Sequence, residues 1–318
     1  MNSPSPEYFD YRSWPNTLAA FLMSINCFLG ILLGGAILYI FIIDSQQRTT
    51  SFNLMCAIRA VNNIAVLTTG FLLVFIPGAL LGFSLYPAWL ESLLIGLSLN
   101  FYIFNEFQSI YISINRFIAV FFPTKYNKLC GIGATFLVHF FLYADRFQNT
   151  AFETYYRIQL QTFVSFSAEF LMFGGTEVSA DGMVLKFAFM FGVALVANIC
   201  TFGKITHFYL ILGSRHDVDN WRRVRKNMNI FCQTVLQDAL FFVDNFFTFQ
   251  MSGLSDHRFW FFICCSFVWQ TVHVVDGFVM IMFNDRLSLL RNALFPSEVL
   301  ESSVAKQLPL RPTLPEVT

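Results

Sequence analysis

The sequence predicts an all-α membrane protein: a bundle of seven transmembrane helices with a short amphipathic helix after the seventh span. Three observations predict it. The chain has 318 residues, 56% of them hydrophobic and 13% charged, against roughly 25% charged in a soluble domain. It contains seven apolar runs, most of them reaching the ~20 residues that a bilayer core demands of a helix. Lysine and arginine are shared unequally between alternate connecting segments, which sets an orientation.

The elements follow in order. Residues 1–17 hold three prolines and one cation, Arg12. The apolar run behind them exceeds a signal-peptide core, so 1–17 reads as an outer tail and not as a cleaved leader. The membrane domain, 18–283, divides into spans 18–43, 53–79, 91–122, 129–144, 183–212, 228–250 and 259–283. The fourth is the shortest, with Lys125 and Lys128 placed to snorkel at its start and Tyr143 to anchor its end. Residues 145–182 read as a long second outer loop. Its half-apolar stretch 158–173 contains Glu169, and a continuation of the fourth span is the alternative. Asn284-Asp285 can cap a final helix, and Leu287, Leu290 and Leu294 give 284–296 one apolar face for the inner membrane surface. Residues 297–318 read as a disordered cytoplasmic tail.

With the amino end outside, the inner segments hold 13 cations: Arg48, Arg116, Lys125, Lys128, Arg215, Arg222, Arg223, Arg225, Lys226, Arg286, Arg291, Lys306 and Arg311. The outer segments and their edges hold five: Arg12, Arg146, Arg157, Lys186 and Arg258. This is the positive-inside pattern.

Several classes are disfavoured. Net charge is zero, so no polyelectrolyte argument for nucleic acid applies. No Gly-rich phosphate loop or Gly-x-Ser-x-Gly elbow is present. The His and Cys spacings resemble no metal site, and no cofactor is implied. The seven cysteines lie in apolar runs or at their edges, so no outer disulfide is expected. The reading is non-enzymatic. A transporter or channel would commonly show inverted repeats and broken helices, and a seven-helix membrane hydrolase would need converging zinc ligands. Both stay as alternatives.

Polar groups inside a membrane are costly and normally turn inward. On span three, Ser98, Tyr102, Asn105, Ser109 and Arg116 fall near one line at 100° per residue, with Glu106 off it. Span two gathers Arg59, Asn62 and Asn63. Span six carries Gln233, Gln237 and Asp244 on one stripe and Asp238 and Asn245 on a second face. Span seven carries Gln270, His273 and Asp276, followed by Gly277, which permits bending. Arg59, Asn62, Asn63, Asn105, Gln237, Asp238, His273, Asp276 and Gly277 form a candidate intramembrane polar network. It reads either as interhelical glue or as a switch that exchanges partners. Ser98, Tyr102 and Asp244, in the outer half, are the candidate ligand pocket. The basic cluster Arg222, Arg223, Arg225 and Lys226 precedes span six; it suits anionic lipid and equally a cytoplasmic protein partner.

The end of span three carries a recognisable spacing. Asn115-Arg116-Phe117, then Pro123, then Tyr126 resembles the Asp-Arg-Tyr…Pro…Tyr junction of rhodopsin-like G-protein-coupled receptors. Asn115 replaces the usual acid and Phe117 the tyrosine, and an arginine snorkelling to lipid phosphate is the simpler alternative. Residues 222–291 look like the sixth and seventh helices of nematode class Srx serpentine chemoreceptors. Arg222-Arg223, Gln233, Gln237-Asp238, Asp244, Phe267-Val268-Trp269, His273, Asp276-Gly277 and Phe283-Asn284 carry that likeness. Ser51-Phe52-Asn53, Arg59 and Asn63 also fit. The resemblance implies a chemosensory receptor of the plasma membrane, in a sensory-neuron cilium. It implies a ligand held in the bundle, a small molecule or short peptide since the amino tail is short. It also implies a heterotrimeric G protein contacted through Asn115, Arg116, Pro123, Tyr126 and the basic cluster. Spans four to seven lack proline, so the proline hinges of many such receptors are missing.

Overall fold

The computed structural model describes residues 14–44, 50–174, 180–212, 218–283 and Leu287, with side chains for all of these except 180–187, 209–212 and 218–227. Among the described residues seven long helices follow one another. They are α1 (Trp14–Ile43), α2 (Ser51–Leu81), α3 (Ala88–Phe121), α4 (Ile132–Leu160), α5 (Ala180–Leu212), α6 (Val218–Phe246) and α7 (Arg258–Phe283). A five-residue helix, Tyr126–Cys130, precedes α4. Strands β1 (Ser165–Ser167) and β2 (Met172–Gly174) pair antiparallel between α4 and α5.

Local chemistry sets the boundaries. Thr50 caps α2, its hydroxyl accepting from the Asn53 N–H at 3.3 Å. Gly82 ends α2 in the left-handed region at φ 77°, a conformation that costs glycine little. α3 follows Pro87 and stops at Phe121, just short of Pro123.

Burial is inverted relative to a soluble protein. Arg59, Asn62, Asn63, Asn105, Gln237 and Asp276 are buried, while Phe28 and Phe189 are each 72% exposed. That distribution suits a chain whose solvent is lipid. Among the described residues four helices are long and apolar enough on composition to cross a membrane: α1, α2, Ala188–Phe208 of α5, and α7. α3 buries Glu91, Asn105, Glu106 and Gln108, and α6 buries Gln233, Gln237, Asp238 and Asp244, which lowers their average hydropathy without turning these groups to lipid. α1, α2, α3, α5, α6 and α7 close a ring, and α4 lies outside it against α3 and α2. α3 is the centre, touching α2, α4, α5 and α6.

The fourth span differs from the sequence reading. α4 runs on to Leu160, so the connection to α5 starts at 161 and not at 145. Asp145-Arg146 marks where apolar sequence stops, but charge does not end a helix. Residues 145–160 contain neither glycine nor proline, and Arg157 pairs one turn back with Glu153, Nε to Oε1 at 3.1 Å. The stretch 158–173 is the end of α4 followed by most of the hairpin. The 284–296 helix, Leu287 apart, and the 297–318 tail lie outside the described residues, as does the tail before Trp14.

The hairpin closes one end of the bundle. Glu91 Oε1 accepts from the Phe166 N–H at 2.7 Å and Ser92 Oγ from the Val164 N–H at 3.2 Å. Ser266 donates to the Leu171 carbonyl at 2.9 Å. Asn16 and Arg258 both donate to the Ala168 carbonyl, and they bond each other. Phe166 and Phe173 pack among Phe71, Phe75 and Trp269. Gly78 makes room for this: a Cβ there would collide with the Phe166 ring. All seven cysteines are free.

Candidate functional site

The site has three parts: two adjoining cavities, one of them under the hairpin, a polar knot on α2, α3, α6 and α7, and Arg116 at the far end of α3.

The first cavity, about 240 Å³, lies between α3, α5 and α6. Glu106, Ser109, Asp238, Phe241, Phe242 and Asn245 are among its walls. The second, about 220 Å³, lies under the hairpin, with Tyr102, Phe173, Asp244, Phe249 and Trp269 among its walls. Asn245 and Phe249 line both. Of the sequence-chosen pocket residues, Tyr102 and Asp244 line the second cavity. Ser98 lines neither; its hydroxyl donates to the Val66 carbonyl at 3.3 Å, against Gly70.

The knot centres on Asp276 of α7, which is fully buried. Arg59 Nε of α2 donates to both carboxylate oxygens, at 3.1 and 3.0 Å. Asn63 Nδ2 adds a bond of 2.6 Å and Gln237 Nε2 of α6 one of 2.8 Å. The chain of amides continues outward. His273 Nδ1 lies 2.8 Å from Asn63 Oδ1, which also accepts from Asn105 Nδ2 at 2.9 Å. Asn105 Oδ1 accepts from Asn62 Nδ2 at 2.9 Å, and Asn62 Oδ1 from Tyr143 at 2.7 Å. Five helices thereby share one network. The physical reason is satisfaction: a buried ion pair survives when its remaining lone pairs and protons are hydrogen-bonded. Gly277 stands beside it against α1, where a Cβ would meet Leu33 at an ordinary 3.5 Å. Asp238 sits apart, its Oδ2 accepting from Asn198 of α5 at 2.8 Å and Ser113 at 3.4 Å.

Arg59 also touches the first cavity's walls. Its Nη1 donates to Ser109 at 3.0 Å, and its guanidinium lies 4.9 Å from the Phe241 ring centre.

At the far end, Asn115 does not face Arg116. Its Oδ1 accepts from Tyr126 at 3.1 Å, and Tyr126 in turn lies 2.9 Å from Ser51 Oγ. Arg116 rests on the Phe52 ring of α2, 4.1 Å from its centre. Its Nε and Nη2 are buried without a hydrogen-bond partner, and among the described residues it forms no ion pair. Pro123 is exposed, in the turn that brings Tyr126 back. Arg222, Arg223, Arg225 and Lys226 fall on α6, but their side chains lie outside the described residues.

Sequence reasoning used Phe52 and Trp269 only for the family likeness and missed Phe241 and Asn198; none of the four has a periodic signal that gives it a site role over other apolar or amide positions. It also set Glu106 off the inward stripe, whereas Glu106 is buried and its Oε1 accepts from Asn245 at 3.2 Å.

Residues 24–284 match the family model described as serpentine type 7TM GPCR chemoreceptor Srx. The chain belongs to this family. A comparison with curated proteins found no match. As an Srx chemoreceptor the chain is a multi-pass membrane protein with seven transmembrane helices, and the family is generally non-enzymatic. Among the described residues no group of three or more His, Cys, Asp and Glu could hold a metal ion.

Proposed function

We propose that this Srx chemoreceptor binds a small ligand in its two adjoining cavities and activates a heterotrimeric G protein through its Arg116 end. One observation carries the reading. Ser109 and Phe241 line the first cavity and at the same time hold the Arg59 guanidinium. A ligand against those two side chains competes with the grip on Arg59. Through Asp276 and Gln237, that grip ties α2 to α7 and α6. A ligand shifts such an equilibrium only by its differential affinity for the two arrangements, and contact with both walls supplies it. Loosening α6 would let its basic end swing away and free Arg116 from Phe52. Arg116 then presents an unpaired guanidinium to the G protein, with Arg222, Arg223, Arg225 and Lys226 adding charge at the same surface. Asn115, Pro123 and Tyr126 shape that junction.

The amino end lies outside and the receptor sits in the plasma membrane, in a sensory cilium; the 13-to-5 cation bias supports the orientation. The test is a G-protein reporter in cells with surface labelling. The wild type is expected to signal, and Arg116→Ala to reach the surface and stay silent. Normal signalling by Arg116→Ala would leave the arginine as a lipid-facing anchor and sink the coupling scheme.

A further inference from the structure

We infer that the cavities take a small organic cation: an ammonium group on an apolar or aromatic tail, with the ammonium held by Asp244. This rests on the receptor reading for its consequence and on the cavity walls for its chemistry.

Three carboxyl groups line the two cavities: Glu106 and Asp238 the first, Asp244 the second. All three are buried, Asp244 to 3% exposure and Asp238 to 7%. Asp244 Oδ1 and Asp238 Oδ1 have no hydrogen-bond partner. Among the described residues none of the three forms an ion pair, and Arg59, the buried cation at the first cavity's wall, is paired with Asp276. The acid excess is therefore uncompensated where burial makes a lone charge most costly. A cationic ligand supplies the missing charge and the missing donor together.

The rest of the second cavity fits the same ligand. Tyr102 lines the same cavity and hydrogen-bonds the Asp244 carboxyl. Phe173, Phe249 and Trp269 share the wall. Aromatic faces attract ammonium groups through the ring quadrupole, more so when desolvated. The apolar tail then runs past Phe249 and Asn245, the two residues common to both cavities, toward Phe242 and Phe246. A carboxylate ligand would meet three acids and is excluded on charge.

The experiment uses the full chain purified in detergent and reads thermal unfolding, so no G protein is needed. The probes are primary amines with benzyl, phenethyl, cyclohexylethyl and octyl tails, each paired with its alcohol and its carboxylate. At least one amine is expected to raise the unfolding midpoint in a dose-dependent way, with its alcohol and carboxylate inactive. Asp244→Asn should weaken that amine by about tenfold or more, the value of a charge-assisted bond. Asp244→Glu should retain binding, which separates lost charge from lost fold. Failure of every amine, equal binding of amine and alcohol, or unchanged binding by Asp244→Asn would overturn the inference. An amine that binds through Asp244 without evoking G-protein activation would leave this site standing and remove the coupling proposal. Arg116-dependent signalling with no amine bound would do the reverse.

Discussion

Arg116 is held by an aromatic face where a carboxylate is usual, and this has a measurable consequence. A cation–π contact at a partly exposed site is worth ~0.5–1 kcal/mol, less than a charge-assisted bidentate pair. Basal, ligand-independent signalling is therefore expected in the wild type. Phe52→Leu should raise it by releasing the guanidinium. Asn115→Asp should lower it by placing a negative charge one residue from the guanidinium, within reach if its side chain leaves Tyr126. A reporter assay normalised to surface level checks both, and a Phe52→Leu receptor no more active than wild type would show that the ring does not restrain Arg116. The Arg59–Asp276 pair gives a second test. Removing one partner of a buried pair costs about 3–5 kcal/mol because the other charge is left unpaired. Arg59→Met alone should therefore sharply reduce folded receptor, judged by size-exclusion yield. Arg59→Met with Asp276→Leu should recover part of it. Equal loss in the single and double variants would mean that the uncompensated charge is not the source of the cost.

No proline lies between Pro123 and Pro296, and irregular helical turns occur in that stretch all the same. π-helical stretches occupy Leu67–Phe75 of α2, Phe247–Met251 at the end of α6 and Phe262–Phe267 of α7. Such stretches are rare and tend to lie at functional sites; here Thr248, Phe249 and Cys265, from the last two, line the second cavity. The hairpin is the other element with a local test. Phe166 enters the space left by Gly78, so Gly78→Ala should cost ~1–3 kcal/mol by overpacking. In a Phe166→Ala background the same change should cost almost nothing, because the two residues share one space. Unfolding midpoints of the four proteins decide it, and simple additivity would place Phe166 elsewhere. Because the hairpin is anchored by Glu91, Ser92 and Ser266 and every cysteine is free, mild reductant outside the cell should leave surface level and response unchanged.

Seven crossings put the two termini on opposite faces, and the proposed orientation puts the amino end outside. A tag after Met1 should label on intact cells and a tag after Thr318 only after permeabilisation; two tags on one face would require an even number of crossings. The span count, the polar positions and the Arg116 spacing were legible because each depends on order along one helix: apolar length, 3.6-residue periodicity, and the end of a run. Asn63, Gln237 and Asp276 could be recognised as intramembrane polar groups for the same reason. Their meeting at one carboxylate could not be read, since it depends on the rotation of three separate helices about their axes. The same limit explains Glu106. A helical wheel assumes one buried face, but α3 is surrounded by α2, α4, α5 and α6, so a residue off the stripe is buried too. It explains Phe52 beneath Arg116, where any of 41 phenylalanines offered the same ring to composition alone. The length of α4 was hidden differently. Hydropathy reports where lipid contact stops, whereas helix continuity follows backbone propensity. Periodicity within one segment thus fixes what each helix offers, and packing between segments fixes which offers meet.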